Sequence, residues 1–391
     1  MGSPVFKMEK DAIHFYLPFD YAYLNKTVSC MVSVVSSLPG VRVVGISDPP
    51  PKLPARIVIY MPFVFMGRSR EAFHTALSRL RKAYTANLNH VNYDKAHEYY
   101  NDFLAARERA DEGVAILNEY DLHALTHQDF VVQFAEERLD YLIFSGPELF
   151  DNTLHSAEPK KDLVPGEVAA GLEYLTQRLS RVISLPHTIS PSEFVRTDAQ
   201  SLTTKTRLVS VPGVGYTARN HANRVLAKYS LSSFGAAVFD RAYYATLRKV
   251  PVSTVRTRLL WRHFAQSIQR SHITMTCGSS AGYFVRKFIE IPAMGSCLCT
   301  FDYAFLSRVG FRAGVNFLPL NTVEDLGDYV VRARDPEFAS QIAEYSAAGA
   351  HTVYNLHSTI ARTQQLSQTL CQIAEGRFKG SFWSEGQYLF R

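Results

Sequence analysis

Arg286, Lys287 and Glu290 fall within five positions of one another in FVRKFIEIPAMGSCLCTFD (284–302). Two cations and a carboxylate at that spacing suit a segment that grips an anionic, hydroxyl-bearing ligand. Arg286 offers a bidentate fork for phosphate and Lys287 a point charge. Glu290, one helical turn beyond Arg286 on the same face, can accept two hydroxyls of a ribose or hexose. The preceding HITMTCG is a buried-strand pattern, and Ser279 and Ser280 are natural caps for a helix carrying all three charges. A helix that opens just beyond a strand end turns its N–H groups and positive dipole toward a cleft. Pro292 and Gly295 end it, and CLCTF forms the next strand. The plainer reading of the same spacing is a surface helix with a solvated i,i+4 ion pair.

A second constellation is RLVSVPGVGYTARNHANRVLA (207–227). Gly213, Gly215 and Ala218 fit G-x-G-x-x-A between a strand and a helix, and Asp240 ends a later strand. That is a dinucleotide fingerprint with its ribose acid, and alone it points to an NAD(P)-dependent oxidoreductase. A tight turn without a ligand has the same composition. In HALTH, His123 and His127 stand one helical turn apart, yet neither a metalloprotease Glu nor a third ligand accompanies them. Two capping or surface histidines explain the pair as well. The chain contains no Asp-x-Asp, the paired carboxylate that holds a metal against a leaving diphosphate, so no metal is expected.

These residues need rigid elements behind them. Strand-like runs (AIHFYLPF, GVRVVGIS, ARIVIYMPFVF, DYLIFSG, VISLP) alternate with helical periodicity up to residue 186, and Tyr93 to Glu137 reads as mostly helical. The Ser-, Thr- and Pro-rich segment 187–206 breaks the rhythm. Alternation resumes with RLVSV, GAAVFD, HITMTCG, CLCTF and VNFLPL, and helices follow to the end. The expected fold is α/β: two Rossmann-like domains facing each other across a cleft. Their bounds are 1–195 and 196–370, and 371–391 packs back toward the first domain. A cleft at the carboxyl ends of such strands is the default site.

Composition narrows the function classes. With 391 residues, 47% hydrophobic and 20% charged, the chain can build two cores and is not a disordered one. ARIVIYMPFVFMG is too short for the roughly 18–20 residues of a membrane span and is broken by Pro62. A net charge of +6 admits an anionic ligand or an acidic membrane surface but is too weak to argue for nucleic acid. Five cysteines without a CxxC pair fit reduced thiols and a cytoplasmic setting. GRSREAFHTALSRLRKAY (67–84) gathers Arg68, Arg70, Arg79, Arg81 and Lys82 on one helix. It could rest on anionic lipid at the inner face of a membrane, or simply pack on its sheet.

Beyond these readings, QSIQRSHITMTCGSSAGYFVRKFIEIPAMGSCLCT (266–300) resembles the donor-binding segment of GT-B glycosyltransferases with a group 1-type C-terminal domain. VGFRAGVNFLPLNTVEDLGDYV and HSTIARTQQL are similar to later segments of that family, in the same order. The likeness runs from about Ser267 to Leu370. It implies a GT-B fold and transfer of a sugar from a nucleotide sugar to a hydroxyl of a glycan or lipid-linked acceptor, in polysaccharide biosynthesis, with no metal and no other cofactor. It further implies that Glu290 holds the ribose or donor sugar, and that Arg286 or Lys287 holds the diphosphate. The Gly278–Ser279–Ser280 turn would touch sugar or phosphate. The turn at Gly213 and Gly215 would approach the diphosphate, neutralised by Arg219. Retaining members carry a second glutamate eight positions upstream, where this chain has Gly282. If transfer inverts the anomeric centre, a base is needed, and Asp20, Glu148 and His127 are the candidates. Each has an ordinary alternative as a cap or loop residue.

Overall fold

The computed structural model describes residues 12–17, 26–60, 71, 92–117, 139–150, 165–194, 205–213, 217–229, 231, 255–278 and 282–391. The first unit is a six-stranded sheet, every pair parallel. Its strands are β1 (Ile13–Leu17), β2 (Val41–Gly45), β3 (Ile57–Tyr60), β4 (Glu112–Ile116), β5 (Tyr141–Phe144) and β6 (Val182–Ser184). Helices α1 (Lys26–Ser36), α2 (Tyr93–Arg109) and α3 (Pro165–Thr176) lie between them in the chain. IVIY and YLIF are apolar along nearly their whole length because both faces of a parallel sheet are covered. The spatial order β2-β1-β3-β4-β5-β6 reverses between β1 and β3, so a crevice opens beyond their carboxyl ends.

The second unit is a parallel sheet ordered β10-β9-β8-β7. Its strands are β7 (Arg207–Ser210), β8 (Ser271–Met275), β9 (Cys297–Phe301) and β10 (Leu318–Leu320). α4 (Thr217–Ala227) and α5 (Val255–Gln269) precede β8; α6 (Lys287–Ala293) and α7 (Ala304–Arg308) flank β9. Then come α8 (Asp325–Arg332), α9 (Pro336–His357) and α10 (Thr359–Ala374), and the hairpin β11 (Ser381–Ser384) and β12 (Gln387–Phe390). Alternation along the strands separates two layers. Val209, Ile273, Met275, Cys297 and Cys299 pack with α4 and α8, whereas Leu298 packs with Phe264, Phe288 and Phe305 on the other side. On that second side a buried hydroxyl chain links Ser210, Thr274 and Ser296 at 3.1 and 2.8 Å, so these polar side chains satisfy one another.

The two-sheet α/β architecture is as expected, and none of the five cysteines is bridged. Among the described residues no helix is long and apolar enough to cross a membrane. Three local expectations are corrected. β4 is a strand inside the stretch read as helical; EGVAI has no alternation to betray it because its position is central and fully covered. The chain does not close on helices alone, because residues 381–390 form a hairpin. The helix carrying Glu290 starts at Lys287 with Arg286 as its cap, later in the chain than expected. Upstream, Tyr283 bridges Phe150 and the Phe284 N–H donates to the Leu149 carbonyl at 3.2 Å, which commits that backbone to an extended course. Helix α6 stops as expected at Gly295, at φ 77 just past its last turn, while Pro292 lies inside the helix rather than ending it.

The units are joined by more than one pass of the chain. Residues 185–190 leave β6 and run beside the return at 357–359. Ile189 N–H donates to the His357 carbonyl (3.1 Å), and Thr359 N–H donates to the Ile189 carbonyl (2.9 Å). α10 then packs on α1, and its Leu366, Leu370 and Ile373 enter the first core.

Candidate functional site

Three basic or glycine positions meet at the carboxyl edge of the second sheet. Gly213 follows β7 with φ 101, a conformation that L side chains rarely adopt. A methyl group on it would lie 2.5 Å from Lys287 Cε, 2.9 Å from Lys287 Nζ and 3.6 Å from Arg219 Nη1. The turn after β7, the first residue of α6 and the third residue of α4 therefore converge on one small volume. Glycine suits this φ, and any side chain here would be strained and would push the end of the lysine aside. Lys287 is half-buried, with Nζ 6.0 Å from the centroid of the Phe264 ring. Arg219 is 1% exposed, and its Nη2 donates to Thr276 Oγ1 (3.1 Å) and to the Cys277 carbonyl (3.2 Å), just past β8. Next to them, Gly278 N–H donates to Tyr303 Oη at 2.9 Å, tying this turn to the end of β9.

Arg286, adjacent in the chain, points elsewhere. It is 7% exposed. Nη2 pairs with Glu193 Oε2 at 2.6 Å, Nη1 pairs with Glu290, and Nε donates to the Thr188 carbonyl at 3.2 Å. Cys30 Sγ on α1 lies 3.7 Å from Nη2. Burial opposes the charge, but Glu290 and Glu193 outweigh it and hold the guanidinium pKa above its usual value. The pairing with Glu290 has the i,i+4 spacing read from the sequence, but it is buried rather than solvated. The fork expected to face phosphate is taken up by two carboxylates and a carbonyl, and one of those carboxylates is Glu290 itself. Glu193 belongs to a capping box, Ser190–Pro191–Ser192–Glu193, whose pattern is plain in the sequence; its partnership with Arg286 is not.

Glu148 lies in the loop beyond β5. Oε1 accepts from Ser184 Oγ at 2.6 Å, and Oε2 is buried without a hydrogen-bond partner. Gly146, at φ 97, makes the space: a methyl group there would meet Ser184 Oγ at 2.3 Å and the two carboxylate oxygens at 2.6 and 2.7 Å. Burial raises the pKa of Glu148, with the Ser184 hydrogen bond partly offsetting it. The same loop reaches the second unit through Leu149, whose side chain packs with Phe284 and Phe288. Arg308 Nη1 donates to the Glu148 carbonyl at 2.5 Å. The structure thus brings the Glu148 loop against the segment leading into Arg286 and Lys287. Asp20, His123, His127, Gly215, Asp240, Ser279 and Ser280 lie outside the described residues, as does most of the basic stretch 67–84. Among the described residues no three His, Cys, Asp or Glu side chains converge as a metal set.

No protein-family profile matches the chain, and no curated protein matches it. Among solved structures it is similar to HepE of Anabaena in complex with UDP, at 10% identity over 92% of this chain and 99% of that one, with a TM-score of 0.49. It is similar to a glycosyltransferase of Rickettsia africae at 9% identity, covering 94% and 99%, with a TM-score of 0.42. Sucrose-phosphate synthase of Thermosynechococcus elongatus is similar at 11% identity over 93% and 99%, with a TM-score of 0.43.

Proposed function

We propose that this chain is a glycosyltransferase that moves a sugar from a nucleotide sugar to a hydroxyl of a glycan or lipid-linked acceptor, in the assembly of a polysaccharide. The observation that carries the reading is the convergence of Gly213, Lys287 and Arg219 at the carboxyl edge of β7 and β8. Two cations aimed at a glycine turn suit a diphosphate, and they stabilise it most as negative charge grows on the leaving group. Basic side chains then do what a metal does elsewhere, so the reading includes no metal and no cofactor. Glu290 binds a hydroxyl of the donor, with Arg286 orienting its carboxylate.

In the transfer, the bond from the anomeric carbon to the diphosphate oxygen breaks and a bond to the acceptor oxygen forms. The acceptor proton goes to an enzyme base if the centre inverts, or to the leaving phosphate if it is retained. Glu148 suits the first course, since a carboxyl with raised pKa is a better proton acceptor near neutral pH than an ordinary glutamate. Asp20 and His127 are the other candidates. A cytoplasmic setting, with residues 67–84 against anionic lipid, belongs to the same proposal.

A thermal-shift panel of UDP, GDP, CDP, CMP, dTDP, ADP and NAD(P), with and without EDTA, tests it. A ligand at ~100 times its Kd adds about 2.7 kcal/mol of stability. Stabilisation by one sugar-carrier nucleotide, unchanged by EDTA, is the expected result. Stabilisation by NAD(P) alone would overturn the reading in favour of an oxidoreductase built on the glycine turn.

A further inference from the structure

The hairpin β11–β12 is joined by Glu385 (φ 48) and Gly386 (φ 77), a two-residue turn of the kind that matches strand twist. Two strands alone are marginal in water, so this hairpin persists by what it docks on. At its root, Ser184 N–H donates to Ser381 Oγ (2.8 Å) and Trp383 Nε1 donates to the Ser184 carbonyl (3.0 Å). Both contacts fall on β6, the edge strand of the first sheet. Gly380 lies so close to the Leu179 carbonyl that a methyl group there would stand 2.1 Å from it. In its middle, the Trp383 ring stacks on His357 at 5.6 Å, and Arg362 Cζ sits 4.6 Å from the ring centroid. Those two residues flank the return crossing. At its tip, Gly386 N–H donates to the Arg308 carbonyl (2.8 Å), and its Cα would stand 3.2 Å from a methyl group on Gly310. Arg308 and Gly310 belong to the second unit.

One hairpin therefore holds the first unit by its root, the second by its tip and the crossings by its centre. The two crossings on their own form a short hinge, which can absorb rotation in a few residues. Away from that hinge the hairpin adds an attachment to the Leu149–Phe284 and Glu148–Arg308 contacts, and together they remove the freedom to turn. We infer that β11–β12 is a strap that fixes the angle between the two units, and that its Gly386 tip must leave Gly310 before the units can separate. The inference does not depend on the reaction assigned above.

Hydrogen exchange and small-angle scattering on the full chain test it. Gly386→Val places a branched side chain at positive φ against the Gly310 backbone and so frees the tip. Exchange at the Ile189 and Thr359 amides should rise about tenfold or more, since both depend on the crossings staying paired. The radius of gyration should increase, while Ile59 and Leu298, deep in each sheet, keep their protection. Faster exchange confined to 381–390, with the hinge amides and radius unchanged, would overturn the strap. If Gly386→Val does not fold, Trp383→Phe decides: it keeps an aromatic ring but loses the bond to Ser184. About threefold faster exchange at Ile189 and Thr359 is then expected, and no change there would equally overturn the inference.

Discussion

Arg286 and Lys287 are neighbours in the chain, and the fold gives them opposite surroundings. Arg286 is buried among Glu193, Glu290 and the Thr188 carbonyl, where it links the segment after β6 to α6 and touches α1 through Cys30. Lys287 is half-buried beside the glycine turn at the carboxyl edge of the second sheet. Arg286 pairs with two of the protein's own carboxylates, whereas Lys287 lies beside the glycine turn. A rotation of about 100° per residue around α6 is enough to assign them to different regions. Adjacent like charges therefore do not amount to a shared site.

The comparison predicts opposite signatures. Arg286→Ala leaves buried Glu290 and partly buried Glu193 without their cation and should cost about 3–5 kcal/mol in urea unfolding. Lys287→Ala should cost under about 1 kcal/mol, a contrast that equal losses would erase. Gly213→Ala comes next: a side chain at φ 101 pressed against Lys287 should destabilise by about 1–2 kcal/mol. In calorimetry it should also weaken the stabilising nucleotide at least tenfold, or about 1.4 kcal/mol. Lys287→Ala should weaken that nucleotide to a similar degree with little loss of stability, which separates ligand binding from folding at the turn. Equal affinity in both variants would leave the diphosphate without its cation.

The smallest effect concerns Glu148. Its folded pKa is raised, so the native state holds the proton more tightly than the unfolded chain does. Its stabilising contribution is complete below the ordinary value of 4.5 and declines as pH rises from there to the raised folded pKa. Glu148→Gln, neutral throughout, should flatten that slope in melting temperatures measured from pH 4 upward. An unchanged slope would assign the pH dependence to other groups.

Much of the fold is legible because its signals are local. The apolar runs of β3 and β5, the glycine beyond β7 and the glycine that stops α6 each act within a few residues. The capping box at Ser190–Glu193 is of the same kind. The hairpin had a signal too, the aromatic residues on either side of a Glu-Gly turn in SFWSEGQYLF. β4 had none, since a central strand whose buried residues, Gly113 to Ile116, are all small or apolar carries neither period.

What the sequence by itself determined is most of the elements, the paired parallel sheets and the chemical types gathered near Gly213 and Glu290. Tertiary structure alone decided which of them meet. Arg286 reaches Glu193 across 93 positions and Cys30 across 256, and Ser184 meets Ser381 across 197. Strand order and the two crossings set those meetings. Periodicity records only which face of an element is buried, whereas the partner on that face is chosen by how the sheets and helices stack.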